Sequence, residues 1–147
     1  MIMTHENILE IVKELKADSV LVDMLAKNPP YYAPTKSQAK VNSIIPMEFM
    51  ENIKNAPAIG LKAGVNQRVG VNLRDAIILI RCYNNMDKTY VDINKVLSRI
   101  EFLLHRKLFS LTGMVHIATD FQSLSLESVD DAYQLRFREA SFKLQII

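Results

Sequence analysis

Val91-Asp92-Ile93-Asn94-Lys95-Val96-Leu97-Ser98-Arg99-Ile100-Glu101-Phe102-Leu103-Leu104-His105-Arg106-Lys107-Leu108-Phe109 is the stretch on which the reading of the fold turns. Within it Ile93, Val96, Leu97, Ile100, Leu103, Leu104 and Leu108 recur at three- and four-residue steps. That spacing lays a continuous apolar stripe along one face of a helix. Past Gly113 the spacing drops to two: Val115, Ile117 and Phe121, then Leu135 and Phe137, then Phe142, Leu144 and Ile146. Residues two apart share one face of a strand, so these strands have an apolar side and a polar side. A striped helix and a one-sided sheet bury each other. The pattern predicts an α+β domain, an antiparallel sheet of about four strands packed against one long helix.

Towards the N-terminus the pattern predicts two short helices. Thr4 caps the first, whose apolar face is Ile8, Leu9, Ile11, Val12 and Leu15, with Lys13 and Lys16 at its C-terminal end. Asp18 or Ser19 opens the second, which carries Val20, Leu21, Met24 and Leu25 and stops at Asn28-Pro29-Pro30. The pair has a helix–turn–helix outline, but no basic recognition helix follows it. Residues 28–57 hold all five prolines, the pair Tyr31-Tyr32 and a polar run at 35–40. They read as a long Pro-rich loop, with a short helical patch at 47–53, that is either a contact loop or disordered. Tyr31 and Tyr32 fit the contact reading, because tyrosine is favoured at interfaces.

Residues 58–63 read as a short strand, with Gly60, Gly64 and Gly70 around it and a hairpin turn through Gly64-Val65-Asn66-Gln67-Arg68. No Lys-Ser/Thr follows these glycines, so the stretch is not a phosphate-binding loop. Residues 71–83 form the next strand, and its run Ala76-Ile77-Ile78-Leu79-Ile80 is apolar on both faces. Such a strand is central in its sheet or is covered by another subunit. Residues 129–132 read as the turn between the last two strands. Those strands also slip phase: Leu124 and Leu126 fall on even positions after Phe121, and Phe142 follows Phe137. A one-residue slip demands a bend, or a far half that faces something other than its own helix.

Composition narrows the function. The 147 residues make a single domain, and 49% hydrophobic residues exclude a disordered chain. Sixteen acids against 18 bases leave a formal charge of +2, without the concentrated basic excess of a dedicated DNA binder. The lone Cys82 has no partner for an intramolecular disulfide, reads as a small buried hydrophobe and suits a reducing cytoplasm. No run approaches the ~20 apolar residues of a membrane span. The opening Met1-Ile2-Met3-Thr4-His5-Glu6 lacks the pattern of a signal peptide, so a soluble protein is expected.

Candidate chemistry is sparse. His5, His105 and His116 lie in separate elements without zinc-ligand spacing, and His116 with Asp120 on one strand face makes a poor site. No Gly-x-Ser-x-Gly elbow occurs, and Asp130-Asp131 has the character of turn chemistry. The expectation is a protein with no catalytic, cofactor-binding or metal site. Arg74, Arg81, Arg136 and Arg138 are the best polar candidates, either as a solvated outer face or as ion pairs between subunits. Together with Tyr31 and Tyr32 they are the candidate partner and subunit contacts.

Four stretches then fall into a recognisable order. Ile8-Leu9-Glu10-Ile11-Val12-Lys13-Glu14-Leu15-Lys16-Ala17-Asp18 is a helix running into a second. Asn55-Ala56-Pro57-Ala58-Ile59-Gly60-Leu61 leads through a proline into the first strand. An apolar strand at 76–83 precedes the amphipathic helix at 89–104, and a terminal strand at 133–147 closes the chain. This layout resembles the tail terminator (tail completion, head–tail joining) proteins of long-tailed bacteriophages over nearly the whole chain. The resemblance implies a structural virion protein without cofactor or catalysis, assembled in the host bacterial cytoplasm. It implies a homo-hexameric ring, monomeric in isolation where ring contacts are weak, that caps the tail tube and docks the head connector. The implied partners are other copies of itself, the tail tube protein and the head–tail connector protein, with no membrane and no sequence-specific nucleic acid. Two alternatives stand beside it: a neck or head-completion protein on the portal side, and a small ligand- or RNA-binding α+β regulatory module. The latter wants aromatic and basic residues exposed on the sheet, whereas most sheet aromatics here fall in the apolar phase.

Overall fold

Thr4 has a short polar side chain that closes the first turn of helix α1 (His5–Lys16). Thr4 Oγ1 accepts the Asn7 N–H at 3.4 Å, and Asn7 Oδ1 accepts the Thr4 N–H at 2.9 Å, a reciprocal capping box. Asn7 is fully buried, and its Nδ2 donates to the Thr112 carbonyl at 3.2 Å, so the cap also ties α1 to the far half of the chain. Thr4→Ala is therefore expected to destabilise the fold by about 1 kcal/mol in urea unfolding, the ordinary worth of such a cap. A change within a few tenths would mean that Asn7 alone holds this end.

The computed structural model describes residues 4–26, 43–46, 57–70 and 72–147. Helix α2 (Ser19–Ala26) is capped by Asp18, whose Oδ2 accepts the Leu21 N–H at 2.8 Å. Helix α3 (Val91–Leu104) buries Ile93, Val96, Leu97, Ile100 and Leu104, the stripe expected of it. It stops at His105, earlier than the stripe ran, so Leu103 is only half-buried and Leu108 lies past the helix, exposed.

Among the described residues the sheet has six strands in the order β1-β2-β3-β6-β4, with β5 paired to β6. These are β1 (Ile44–Pro46), β2 (Ala58–Arg68), β3 (Arg74–Asn85), β4 (His116–Leu124), β5 (Ser128–Asp130) and β6 (Leu135–Ile146). The expected sheet of about four antiparallel strands against one helix is thus corrected. The sheet is mixed, because β1 runs parallel to β2, and α1 and α2 join α3 in covering it. β1 comes from the Pro-rich segment read as a loop. A strand containing Pro46 is tolerated there because β1 is an edge, where a missing N–H costs no ladder bond. The remainder of that segment, including Tyr31, Tyr32 and the helical patch at 47–53, lies outside the described residues.

Two turn readings also shift. Gly64 is inside β2, beside a bulge between Ala63 and Asn66, and the chain reverses instead where Val69 N–H meets the Leu73 carbonyl at 2.9 Å. A Cβ at Gly64 would stand 3.3 Å from the Ile77 carbonyl oxygen, so the close approach of β3 explains the glycine. At the other end Val129 and Asp130 belong to β5, and the turn follows at 131–134, where Asp130 Oδ1 accepts the Tyr133 N–H at 3.2 Å.

The phase slips have two different causes. β4 absorbs its slip in bulges at 116/118 and 121/123. β6 has none: it pairs with β3 without a break from Arg74↔Ile146 to Asn85↔Leu135. Ala140, Phe142, Leu144 and Ile146 therefore face the helices, while Phe137 faces the opposite side of the sheet. β3 is central, as its doubly apolar run predicts, and Ala76, Ile78, Ile80 and Cys82 point into the core. Burial drives the Cys82 thiol well above its ordinary range, which suits a small core hydrophobe. Ile77 and Leu79 lie on the sheet face that carries no described helix, and both are half-buried.

Candidate interaction surface

That sheet face is where the first sequence candidate sits. Arg81, Gly60 and Glu139 are cross-strand neighbours, and so are Tyr83, Ala58 and Phe137 one pair further on. Arg81 Nη2 lies 3.0 Å from Glu139 Oε2, its Nη1 donates to the Tyr83 hydroxyl at 3.1 Å, and its guanidinium stacks 4.1 Å from the Phe137 ring centroid. The Arg81 and Glu139 side chains are only 22% and 20% exposed. Burial raises the Tyr83 hydroxyl's pKa against the opposing pull of Arg81, so the phenol stays neutral and bonded. The out-of-phase Phe137 noticed in the sequence thus has a partner within the same chain.

Arg138 and Arg136 are also engaged inside the chain. Arg138 donates Nε and Nη2 to the Ser125 carbonyl at 3.0 and 2.9 Å and Nη1 to Asn94 Oδ1 at 2.8 Å. It therefore ties β6 to α3 and to the segment after β4. Arg136 donates Nε to the Met86 carbonyl at 3.0 Å and lies 5.3 Å over the Tyr90 ring. Arg74 differs: it stands at the sheet end, directly across from Arg68 on β2, which sets two like charges side by side. The four arginines do not form one site. Arg81 belongs to the open sheet face, Arg136 and Arg138 to the junction with α3, and Arg74 to the far end.

The helical side offers a second surface, which the residue list from sequence did not contain. Arg99 grips Asp18 through two hydrogen bonds, Nε to Oδ2 at 3.0 Å and Nη2 to Oδ1 at 2.8 Å, joining α3 to α2. That guanidinium holds the Asp18 carboxyl below the usual carboxylate range. Beside the pair, Val20, Met24, Val91 and Lys95 line an open groove of about 580 Å³ between α2 and α3. On the other flank of α3, Leu97, Glu101, Phe121, Leu124 and Arg138 line a smaller pocket of about 210 Å³. Phe102, 74% exposed, projects from α3, and Leu126, 85% exposed, follows β4. Exposed large apolar residues gathered around grooves mark contact surfaces on soluble domains. The sequence did carry a signal for them: Phe102 is off the helical stripe, and Leu126 is in the slipped phase.

Among the described residues no three His, Cys, Asp or Glu side chains gather as metal ligands. The pairing of His116 with Asp120 on one strand face is overturned. The bulge at 116/118 turns His116 into the interior, while Asp120 stands across from Lys143. No described helix is long and apolar enough to cross a membrane.

With this geometry in place, comparison with known proteins gives a fold and no family. No protein-family profile matches the chain, and no curated protein matches it. Among solved structures, a chain described as "Virion of native gene transfer agent (GTA) particle" superposes with a TM-score of 0.59 at 11% sequence identity. The match covers 95% of this chain and 92% of that one. The chain has the fold of that virion component, an α+β domain with a mixed sheet.

Proposed function

We propose that the protein is a structural component of a phage-like virion, a tail terminator that forms a ring at the head–tail joint, caps the tail tube and docks the head connector. The observation that carries the class is the fold likeness to a gene transfer agent virion chain, which spans almost all of both chains. The order of elements agrees with the terminator layout: two short helices, a Pro-rich excursion, a strand hairpin, a crossing helix and closing strands. Phe102 and Leu126 are exposed on the helical side, and Ile77 and Leu79 lie half-buried on the sheet face that carries no described helix. Head-to-tail contact in a closed ring buries two such unlike surfaces and leaves no free end. In this reading the protein acts through assembly, without catalysis or cofactor, in the virion and on partners that are other copies of itself, the tail tube protein and the connector.

The test is a lysate of particles lacking this protein, imaged by electron microscopy. Full heads beside unjoined tails of abnormal length support the terminator reading. Full heads beside free tails of normal length would move the protein to the portal side, as a neck component. Normal virions would sink both. Native mass measurement of the purified protein, alone and with tail tubes, reads the ring size directly, with six copies expected at least on the tube.

A further inference from the structure

β4 is one edge of the described sheet, and it is not bare. Residues 105–109, leaving α3, run beside it and engage two of its backbone groups, the Thr119 carbonyl and the Phe121 N–H. Arg106 N–H donates to the Thr119 carbonyl at 2.7 Å, and Thr119 Oγ1 donates to the Lys107 carbonyl at 2.6 Å. The other two ties pass through histidines. Phe121 N–H donates to His105 Nδ1 at 3.2 Å, and Phe109 N–H donates to His116 Nδ1 at 2.7 Å. An imidazole nitrogen accepts only when it carries no proton. With Nδ1 so occupied, His116 must hold its single proton on Nε2, which lies 2.8 Å from both the Ala118 carbonyl and Thr119 Oγ1. Covering an edge with a loop is a known protection against unwanted strand pairing. Here the tie at Phe109 depends on a neutral histidine, His116.

A second observation shows that the cover is held rather than relaxed. Arg106 has φ 63°, a left-handed conformation that a side chain bearing a Cβ adopts at a cost. Its N–H is the one that reaches Thr119, so releasing the edge also releases the strain. We propose that residues 105–109 are an acid-labile strap over the β4 edge, latched by neutral His116 and undone when it takes up a proton. Protonation puts an N–H at His116 Nδ1, directly facing the backbone N–H of Phe109, and two donors repel where a hydrogen bond stood.

The sign follows from burial. Burial holds His116 below the ordinary histidine value of 6.5 against the pull of the Ala118 carbonyl, and the Phe109 N–H, which needs a bare Nδ1, also favours the neutral ring. The open state takes up the proton at the ordinary value, and latching therefore weakens as pH falls through 6.5 towards the folded value. The charged groups around the strap are Glu10 and Glu14 of α1, Glu101 of α3, Arg106 and Lys107 of the strap itself, and Asp120 and Lys143 of β4 and β6. Lys107 Nζ pairs with Glu14 at 2.9 Å, and Glu10 accepts the Thr112 N–H at 3.0 Å. Because acid acts on carboxylates too, the test must isolate the His116 imidazole.

Residue-resolved hydrogen exchange on the intact protein from pH 7.5 to 5, corrected for intrinsic exchange, provides that test. Protection at the Phe109 amide should fall about tenfold per pH unit below 6.5, while Ile80 and Phe142 hold. Glutamine offers a carbonyl acceptor that does not titrate, so His116→Gln should flatten the profile at Phe109. A flat wild-type profile, loss of protection in step with the core strands, or an unchanged profile in the variant would each overturn the strap.

Discussion

Phe142→Ala should cost ~3–5 kcal/mol, the largest loss expected of any single truncation argued from this fold. Phe142 is 0% exposed, sits at the centre of β6 between Ile78 on β3 and Phe121 on β4, and meets the Phe121 ring edge-on at 5.6 Å and 72°. Removing it forfeits the transfer energy of the ring, the edge-to-face contact and the packing around the cavity left behind. The neighbours cannot collapse into that space, because two strands and α3 hold its walls. Phe102→Ala is the matched control. The same residue type, 74% exposed on α3, should change stability by less than about 0.5 kcal/mol. Equilibrium unfolding in urea measures both, and equal losses would mean that the helices cover the other face of the sheet. By the same argument Ile100→Ala, at 0% exposure under the middle of α3, should cost ~2–5 kcal/mol.

Arg81→Glu should be the most damaging charge change, at about 2–4 kcal/mol. The sequence alone left Arg81 either on a solvated outer face or in an ion pair between subunits. The intramolecular geometry adds a cost within the fold itself. Reversal removes the 3.0 Å pair to Glu139, the bond to the Tyr83 hydroxyl and the stacking on Phe137, and it sets a carboxylate against Glu139. With both side chains about four-fifths shielded, water screens the repulsion only in part. Combining Arg81→Glu with Glu139→Arg should recover much of the loss, and the double-mutant cycle isolates the pair from the stacking. A single reversal costing under about 0.5 kcal/mol would mark the pair as solvated and reopen Arg81 to a role between subunits.

Much of the framework was legible because its signals are local. The α3 stripe, the Thr4 and Asp18 caps and the central position of the strand around Ile78 each follow from residues a few positions apart, where backbone periodicity alone sets which side chains share a face. The phase slips were legible as slips, but not their resolution. A bulge in β4 and an unbroken β6 look alike in sequence, since only pairing to a neighbour tells an extra residue from a change of audience. β1 was illegible for a related reason: three residues with a proline have no strand periodicity, and only a partner already in place makes them a strand.

The polar contacts lie at the far end of that scale. Arg81 and Glu139 are 58 residues apart, Arg138 and Asn94 are 44 apart, and Arg99 and Asp18 are 81 apart. Nothing in the neighbouring residues names such partners, because a long charged side chain takes whichever group the sheet register and helix docking bring within its reach. The sequence by itself determined the helices, the two-sided strands and the absence of any motif for catalysis. Only the tertiary structure decided which arginines find partners inside the chain, which described apolar residues stay exposed, and that residues 105–109 strap the β4 edge.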